Sequence, residues 1–172
     1  MSLQRLKNRL IARLATRFPA LAERLVAGYQ AQSSAQAIPW TPITKPLSQC
    51  KLALVTTAGV HHGAQPPFDM QDAQGDPSFR ELDGRSIEAD FRITHDYYDH
   101  RDAERDLNIV LPLARLREFV AEGKLGALAE RHFGFMGHID GPHIATLAEQ
   151  TAPAVAARLQ AAGVDVVLLT PA

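Results

Sequence analysis

Leu52-Ala53-Leu54-Val55-Thr56-Thr57, closed by Ala58-Gly59, is the stretch on which the fold turns. A compact apolar run rich in branched residues and ended by a glycine reads as a central β-strand entering a turn, buried on both faces as strands of a parallel sheet are. Its counterpart stands at the other end of the chain, where Val164-Asp165-Val166-Val167-Leu168-Leu169-Thr170-Pro171-Ala172 follows Gly163. The second run also reads as a buried central parallel strand, and ligands of open parallel sheets sit just beyond the carboxyl ends of such strands.

Between these runs the periodicity changes. Leu113, Leu116, Phe119 and Val120 fall on one helical face and Gly123 supplies the stop, so a helix spans 113–122. A short helix is expected around Leu125 to Glu130, then a strand or turn at His132 to Met136. A helix from Thr146 to Ala161, interrupted early by Pro153, leads to Gly163. Asp90 to His95 alternates as a more exposed strand does. The segment from Gln65 to Gly84 is too dense in Pro, Asp, Gln and Gly for regular elements, and a loop of that length in a small domain is usually functional. Strands alternating with helices predict an α/β fold, a layered αβα domain with a mostly parallel sheet.

The amino-terminal region is different. Arg5, Lys7, Arg9, Arg13 and Arg17 alternate with Leu3, Leu6, Leu10, Leu14 and Phe18 as an amphipathic basic helix. Such a helix suits an anionic membrane surface or a transit peptide. Glu23 and the continued pattern through Leu21 and Leu25 favour an arm packed on its own domain or on a partner subunit. The expected organisation is therefore an arm over 1–29, a Pro/Ser-rich connector over 30–49 and an α/β domain over 50–172.

The 172 residues suffice for one domain with a real core plus an arm, and 46% hydrophobic with 22% charged residues is an ordinary globular balance. A net charge of -1 argues against nucleic acid as the main partner. The single cysteine, Cys50, excludes an internal disulfide and any Cys-x-x-Cys pair, lies at the wrong end of its strand for a nucleophile, and fits a reducing cytoplasm. No apolar run is long enough to span a bilayer.

Chemistry concentrates in His95-Asp96-Tyr97-Tyr98-Asp99-His100, followed by Asp102, Asp106 and Asn108. Two histidines five apart with carboxylates between them suit a zinc or iron site in residue type, and a metal-dependent hydrolase or lyase using them with His61 is one reading. The spacing matches no strong metal signature, and a hydrogen-bonded turn capped by Asp residues accounts for the same pattern. His61 and His62 lie at the carboxyl end of the first strand, as binding residues or as a solvent-exposed turn. His132, His138 and His143, set among Phe133, Phe135, Met136 and Ile139, suggest partly buried, hydrogen-bonded rings. No GxSxG elbow, P-loop or GxGxxG occurs.

Five segments taken in order carry a resemblance: Leu54 to His61, Gly75-Asp76-Pro77-Ser78-Phe79-Arg80, His95 to His100, Asp106-Leu107-Asn108 with Pro112-Leu113, and Phe135-Met136-Gly137. From about Trp40 onward the chain resembles the B subunit (selenoprotein B) family of glycine, sarcosine, betaine and D-proline reductases. The resemblance implies reductive cleavage of a carbon–nitrogen bond in an amino acid or its N-methylated derivative, with reducing equivalents from dithiols. In that family the segment like Val164 to Pro171 leads into a redox motif with selenocysteine or cysteine. The expectation is that this residue follows Ala172, as a selenocysteine encoded by a UGA codon read as stop, and that the 172 residues alone are inactive.

No cofactor is expected within the chain, while a pyruvoyl group on a partner subunit is implied for some members. The partners implied are a small amino acid or N-methylated amine, dithiol or selenoprotein subunits and further protomers. Thr57 and His61 are the candidates at the sheet edge to orient substrate or donate a proton. His95, Asp96, Tyr98, Asp99 and His100 are the candidate acid–base groups. Asp76, Ser78, Arg80 and Asn108 are candidates for substrate binding, with Arg80 as a bidentate carboxylate clamp. A noncatalytic binding subunit, docked on a partner through its basic arm, is the alternative.

Overall fold

The computed structural model describes residues 3–27 and 41–171. Residues 28–40, most of the expected connector, lie outside the described residues. Helix α1 (Leu3–Arg17) and α2 (Pro19–Val26) form the arm. The domain is assembled from β1 (Lys51–Thr56), β2 (Val60–His62), β3 (Phe79–Asp83), β4 (Phe91–Ile93), α3 (Arg101–Arg105), α4 (Leu113–Ala121), β5 (Ala127–Leu128), β6 (Arg131–Phe135), α5 (His143–Thr146), α6 (Ala152–Ala161) and β7 (Val166–Thr170). Among the described residues no helix is long and apolar enough to cross a membrane.

Strand β1 is the centre of the sheet. It pairs in parallel with β5 and β6 on one side and with β7 on the other, and β3 closes the β6 edge antiparallel. Alternate β1 side chains then face two layers. Leu52 and Leu54 pack with Leu107, Leu111, Leu113 and Leu116 on the α4 side. Ala53 and Val55 pack with Phe133, Phe135, Val155 and Leu159 on the α6 side. The chain is thus an α/β fold with a mostly parallel sheet between helical layers. A separate antiparallel ribbon, β2 with β4, pairs His61 with Arg92.

The β1 ladder contains a defect that a histidine repairs. From Leu52 to Val55 the central strand advances three residues, while its partner advances five, from Leu128 to Phe133. The bulged segment cannot offer a carbonyl to Leu54, whose N–H instead donates to Nδ1 of His132 at 2.9 Å. His132 is fully buried. Accepting at Nδ1 leaves its proton on Nε2, and burial pushes the imidazole down to about 4.

Four expectations are corrected. Leu125 to Glu130 is not helical; Ala127–Leu128 is strand β5, because tertiary pairing with Lys51 and Leu52 overrides helix-favouring Leu and Ala. The segment from Gln65 to Gly84 contains a regular element, β3, whose five residues pair with β6. His61 is not in an exposed turn: it lies on β2 and is 4% exposed. The last strand is not buried. β7 pairs only with β1 among the described residues, and Val167, Leu168 and Leu169 are exposed. The Pro153 interruption is present as a π-helical stretch over Leu147–Thr151, which joins α5 to α6 where a proline lacking an N–H enters the first turn of α6. Cys50 is fully buried against the Lys45 and Pro46 carbonyls at the amino end of β1, a packing position.

Candidate functional site

The parallel register of β1 and β7 sets Thr56 opposite Thr170. Both strands therefore end at one edge, and the Thr57 N–H donates to the Thr170 carbonyl at 3.1 Å. Thr170 is fixed from its other side, its hydroxyl donating to the Val110 carbonyl at 2.7 Å. β6 reaches the same edge and continues through Met136, which bridges Ala58.

Glycine lets a third segment approach. Gly59, at φ +70, receives the Phe135 carbonyl on its N–H and offers its own carbonyl to the Thr94 N–H; a Cβ there would stand 2.3 Å from the Thr94 oxygen. This contact brings His95 onto the strand ends. Gly137 is just as constrained, since a Cβ on it would lie 2.8 Å from the Thr57 oxygen and 3.4 Å from His95 Nε2.

His95 is 4% exposed, and the Tyr97 N–H donates to its Nδ1 at 3.0 Å. The proton therefore resides on Nε2, a buried nitrogen with no hydrogen-bond partner. Burial, with His100 and His138 nearby, pushes this imidazole down to about 4, so at neutral pH it is an uncharged N–H donor. Tyr98 packs edge-on against His95 at 4.7 Å and against His100 at 5.5 Å, and donates its hydroxyl to the Ala58 carbonyl at 3.2 Å. Burial raises the Tyr98 phenol well above its ordinary range, which keeps it a protonated donor. His100 sits 2.8 Å from the Glu104 carboxylate.

Asp96 is buried beneath the arm. Arg5 and Arg9 of α1 both pair with its carboxylate, the Arg9 contact at 3.3 Å, and Asn8 bonds the Tyr97 side chain. Tyr97 also stacks on His138 at 3.8 Å. Beside this junction a cleft of about 430 Å³ is lined by Arg5, Phe68, Asp69, Met70 and Thr94. It thus presents a cation and a carboxylate next to apolar surface.

The structure brings Thr57, His95 and Tyr98 together, with Asp96 and His100 behind them. It sets the other candidates apart. His61 donates from Nδ1 to the His62 carbonyl at 2.8 Å and meets the Thr94 hydroxyl at 2.9 Å through Nε2, so both its nitrogens are occupied. Burial lowers its basicity. Asp99 turns to Arg101, which holds its carboxyl at about 2. Asp106 caps the 3-10 turn over Leu107–Ile109 by accepting the Asn108 N–H, and the Asn108 side-chain amide donates to Asp106 and Glu88.

Arg80 donates to the carbonyls of Pro66, Pro67 and Phe79 and to the Ser78 hydroxyl, and lies over the Phe68 ring at 4.4 Å. Ser78 in turn bonds Asp76, whose carboxylate also takes the Asp69 N–H. These three residues lock the 66–80 loop. Arg80→Lys, which keeps the charge and loses the fork, is expected to raise amide hydrogen exchange over 66–78 about tenfold while global unfolding shifts by about 1 kcal/mol or less.

Gly137, Thr170 and Thr94 were absent from the sequence-derived set. The first belongs to the Phe135-Met136-Gly137 motif, and the second could be found only from the β1–β7 register. Among the described residues no group of three His, Cys, Asp or Glu is placed to hold a metal ion, which leaves the metal-dependent reading without a ligand set.

A sequence model of the family described as glycine/sarcosine/betaine reductase selenoprotein B matches residues 20–172, a span that begins after α1. Similar curated proteins include the D-proline reductase subunit gamma of Acetoanaerobium sticklandii, 40% identical over 131 residues, covering 76% of this chain and 52% of that protein. The glycine reductase complex component B subunit gamma of Carboxydothermus hydrogenoformans is 34% identical over 135 residues, covering 77% and 30%. The sarcosine reductase complex component B subunit beta of Peptoclostridium acidaminophilum is 33% identical over 95 residues, covering 54% and 22%. The chain spans about half the length, or less, of these relatives. No solved structure matches it.

Proposed function

The chain belongs to the glycine/sarcosine/betaine reductase selenoprotein B family, and from that membership we propose that it forms the substrate-facing part of a reductase subunit acting on carbon–nitrogen bonds. The substrate is an amino acid or an N-methylated derivative. Its C–N bond is cleaved reductively, two electrons and two protons passing from a dithiol that ends as a disulfide. A selenol or thiol carried just beyond Ala172 supplies the nucleophile, because a chalcogenolate is ionised and reactive near neutral pH.

One observation carries this reading: the β1–β7 register aligns the ends of both strands, so that chain leaving Thr170 starts beside Thr57, whose other neighbour, Gly137, approaches the unpartnered Nε2–H of His95. A neutral, buried N–H donor can stabilise negative charge without needing its own counter-ion. His95 is thus assigned to hold the chalcogenolate or a developing anion on the substrate. Thr57 shapes the strand end, and Tyr98 holds the Ala58 carbonyl and the His95 ring in place. Activation by a pyruvoyl group belongs, on this reading, to a partner subunit.

The test begins with the nucleotides after the Ala172 codon. UGA followed in frame by further α/β coding and a nearby cysteine supports the assignment, and D-proline is then the first substrate to assay, with glycine, sarcosine and betaine after it. UAA or UAG with no coding sequence beyond removes the nucleophile from that position. A second reading, a binding subunit that positions a partner's redox centre, is favoured by the relatives' being named as complex components. In that case the 172-residue protein changes the activity of a purified partner subunit without reducing substrate itself.

A further inference from the structure

The arm is mounted with its polar side inward. Arg5, Asn8 and Arg9 face the domain through Asp96 and Tyr97, and Ala12 is buried on the same face. The leucines stand on the opposite side: Leu3 is 86% exposed, Leu6 52%, Leu10 58% and Leu14 39%. An amphipathic helix on a soluble domain normally does the reverse, burying the apolar stripe in the core. Exposed Lys7 and Arg13 lie on either flank of the leucine row, Arg17 continues it, and α1 holds no acidic residue.

We propose that α1 is a peripheral membrane-binding helix, seated leucine face down on an anionic phospholipid surface with the α/β domain above it. The chemistry of the face selects this occupant. A second copy of the same helix would meet leucine with leucine but set Lys7 and Arg13 against further cations, with no carboxylate to relieve them. A specific protein partner is recognised through aromatic anchors and directional hydrogen bonds. Within α1 the leucine row offers aliphatic groups and long cations that extend to the headgroup level while their stems stay in the apolar layer, and the exposed Phe18 just past its end suits the same layer. The family match begins at residue 20, so α1 lies outside the span matched to the family. Docking through Arg5 and Arg9 on Asp96 keeps the helix parallel to the body and its leucines outward.

The experiment is co-sedimentation of the full 172-residue protein with phosphatidylcholine vesicles, with or without about a third phosphatidylglycerol. Binding is expected only with phosphatidylglycerol. It should fall about tenfold or more in Leu6→Gln/Leu10→Gln, and by a similar factor in Lys7→Glu/Arg13→Glu, with high salt weakening it further. Both leucines are exposed, so the Gln variant should keep the parent's circular dichroism and melting curve; this separates lost attachment from lost fold. No sedimentation with anionic vesicles, or sedimentation unchanged in the Gln variant, overturns the proposal. So does a dimer by light scattering that Leu6→Gln/Leu10→Gln dissociates in the absence of any vesicle binding, which would give the face to a second copy.

Discussion

Taking the protein from about pH 7 to about pH 4 is expected to remove on the order of 5 kcal/mol of folding stability, most of it before the carboxylates begin to titrate. His95 and His132 both stand near 4 in the folded chain, held down by burial. Unfolded, each returns to about 6.5. In that interval the unfolded chain binds more protons than the native one, so the unfolding free energy falls as pH falls. Their contribution is complete above about 6.5 and is lost progressively down to about 4, with each imidazole giving on the order of 2–3 kcal/mol. Domains of this size are stable by only about 5–15 kcal/mol, so this loss removes a third or more of the total within the window.

The carboxylates that arginine pairing depresses act in the same direction but lower on the scale. Asp99 sits at about 2, and its share is lost only below the ordinary aspartate range. Denaturant titrations at half-unit pH steps distinguish the two groups, and NMR of the imidazole protons assigns them. Stability that stays flat between about pH 6.5 and 4.5, or a His132 ring that protonates in the native state above about pH 5.5, would sink the argument. His132 is the more informative of the two, because protonation at Nδ1 must break its bond to the Leu54 N–H in the middle of the sheet.

That same histidine shows why the sequence was readable only in part. β1 and α4 announced themselves, one by a continuous apolar run ending in glycine, the other by Leu113, Leu116 and Phe119 on one face with Gly123 at the stop. Both depend on local pattern. β5 has two residues and a composition that favours helix, and it exists because the Cys50 and Leu52 carbonyls accept the Ala127 and Ala129 N–H groups. β3 hides behind Asp76 and Pro77, and only its pairing with β6 makes it a strand. β7 reads as buried because Val166 to Leu169 are apolar, but periodicity carries no information about which neighbours cover a strand.

The site follows the same rule. His95, Asp96 and Tyr98 were visible as a dense polar motif, and the resemblance raised Gly137. No local pattern links Arg5 to Asp96 across 91 residues, nor shows that both nitrogens of His61 are engaged while one of His95 is not. Whether a polar residue is spent on structure or held in reserve is decided by its bonds. Arg80 illustrates the first case, since the guanidinium that suits a substrate carboxylate already holds Pro66 and Pro67.

His95 illustrates the second, and His95→Asn isolates it. The Asn side-chain oxygen can occupy the place of Nδ1 and go on accepting the Tyr97 N–H, while the Nε2–H disappears. The amide also brings two N–H donors to the buried place of the ring carbon, and an unpaired buried donor costs a fold about 1–3 kcal/mol, so unfolding free energy is expected to fall by about that amount. On the proposed function, in a longer subunit with a selenol or thiol after Ala172, the same change is expected to lower kcat about 10²-fold with KM altered less than about threefold, the signature of a donor that acts on an anion formed late in the reaction. The redox residue should also ionise at higher pH, which shifts the alkaline-going limb of the activity profile upward. A purely structural histidine would behave differently: its replacement would leave kcat and the pH profile where they were, whatever the melting temperature did. Measuring kcat and the pH profile on one variant therefore separates the two roles, and His132, whose Nε2 is equally buried and unpartnered while its Nδ1 serves the sheet, supplies the structural comparison.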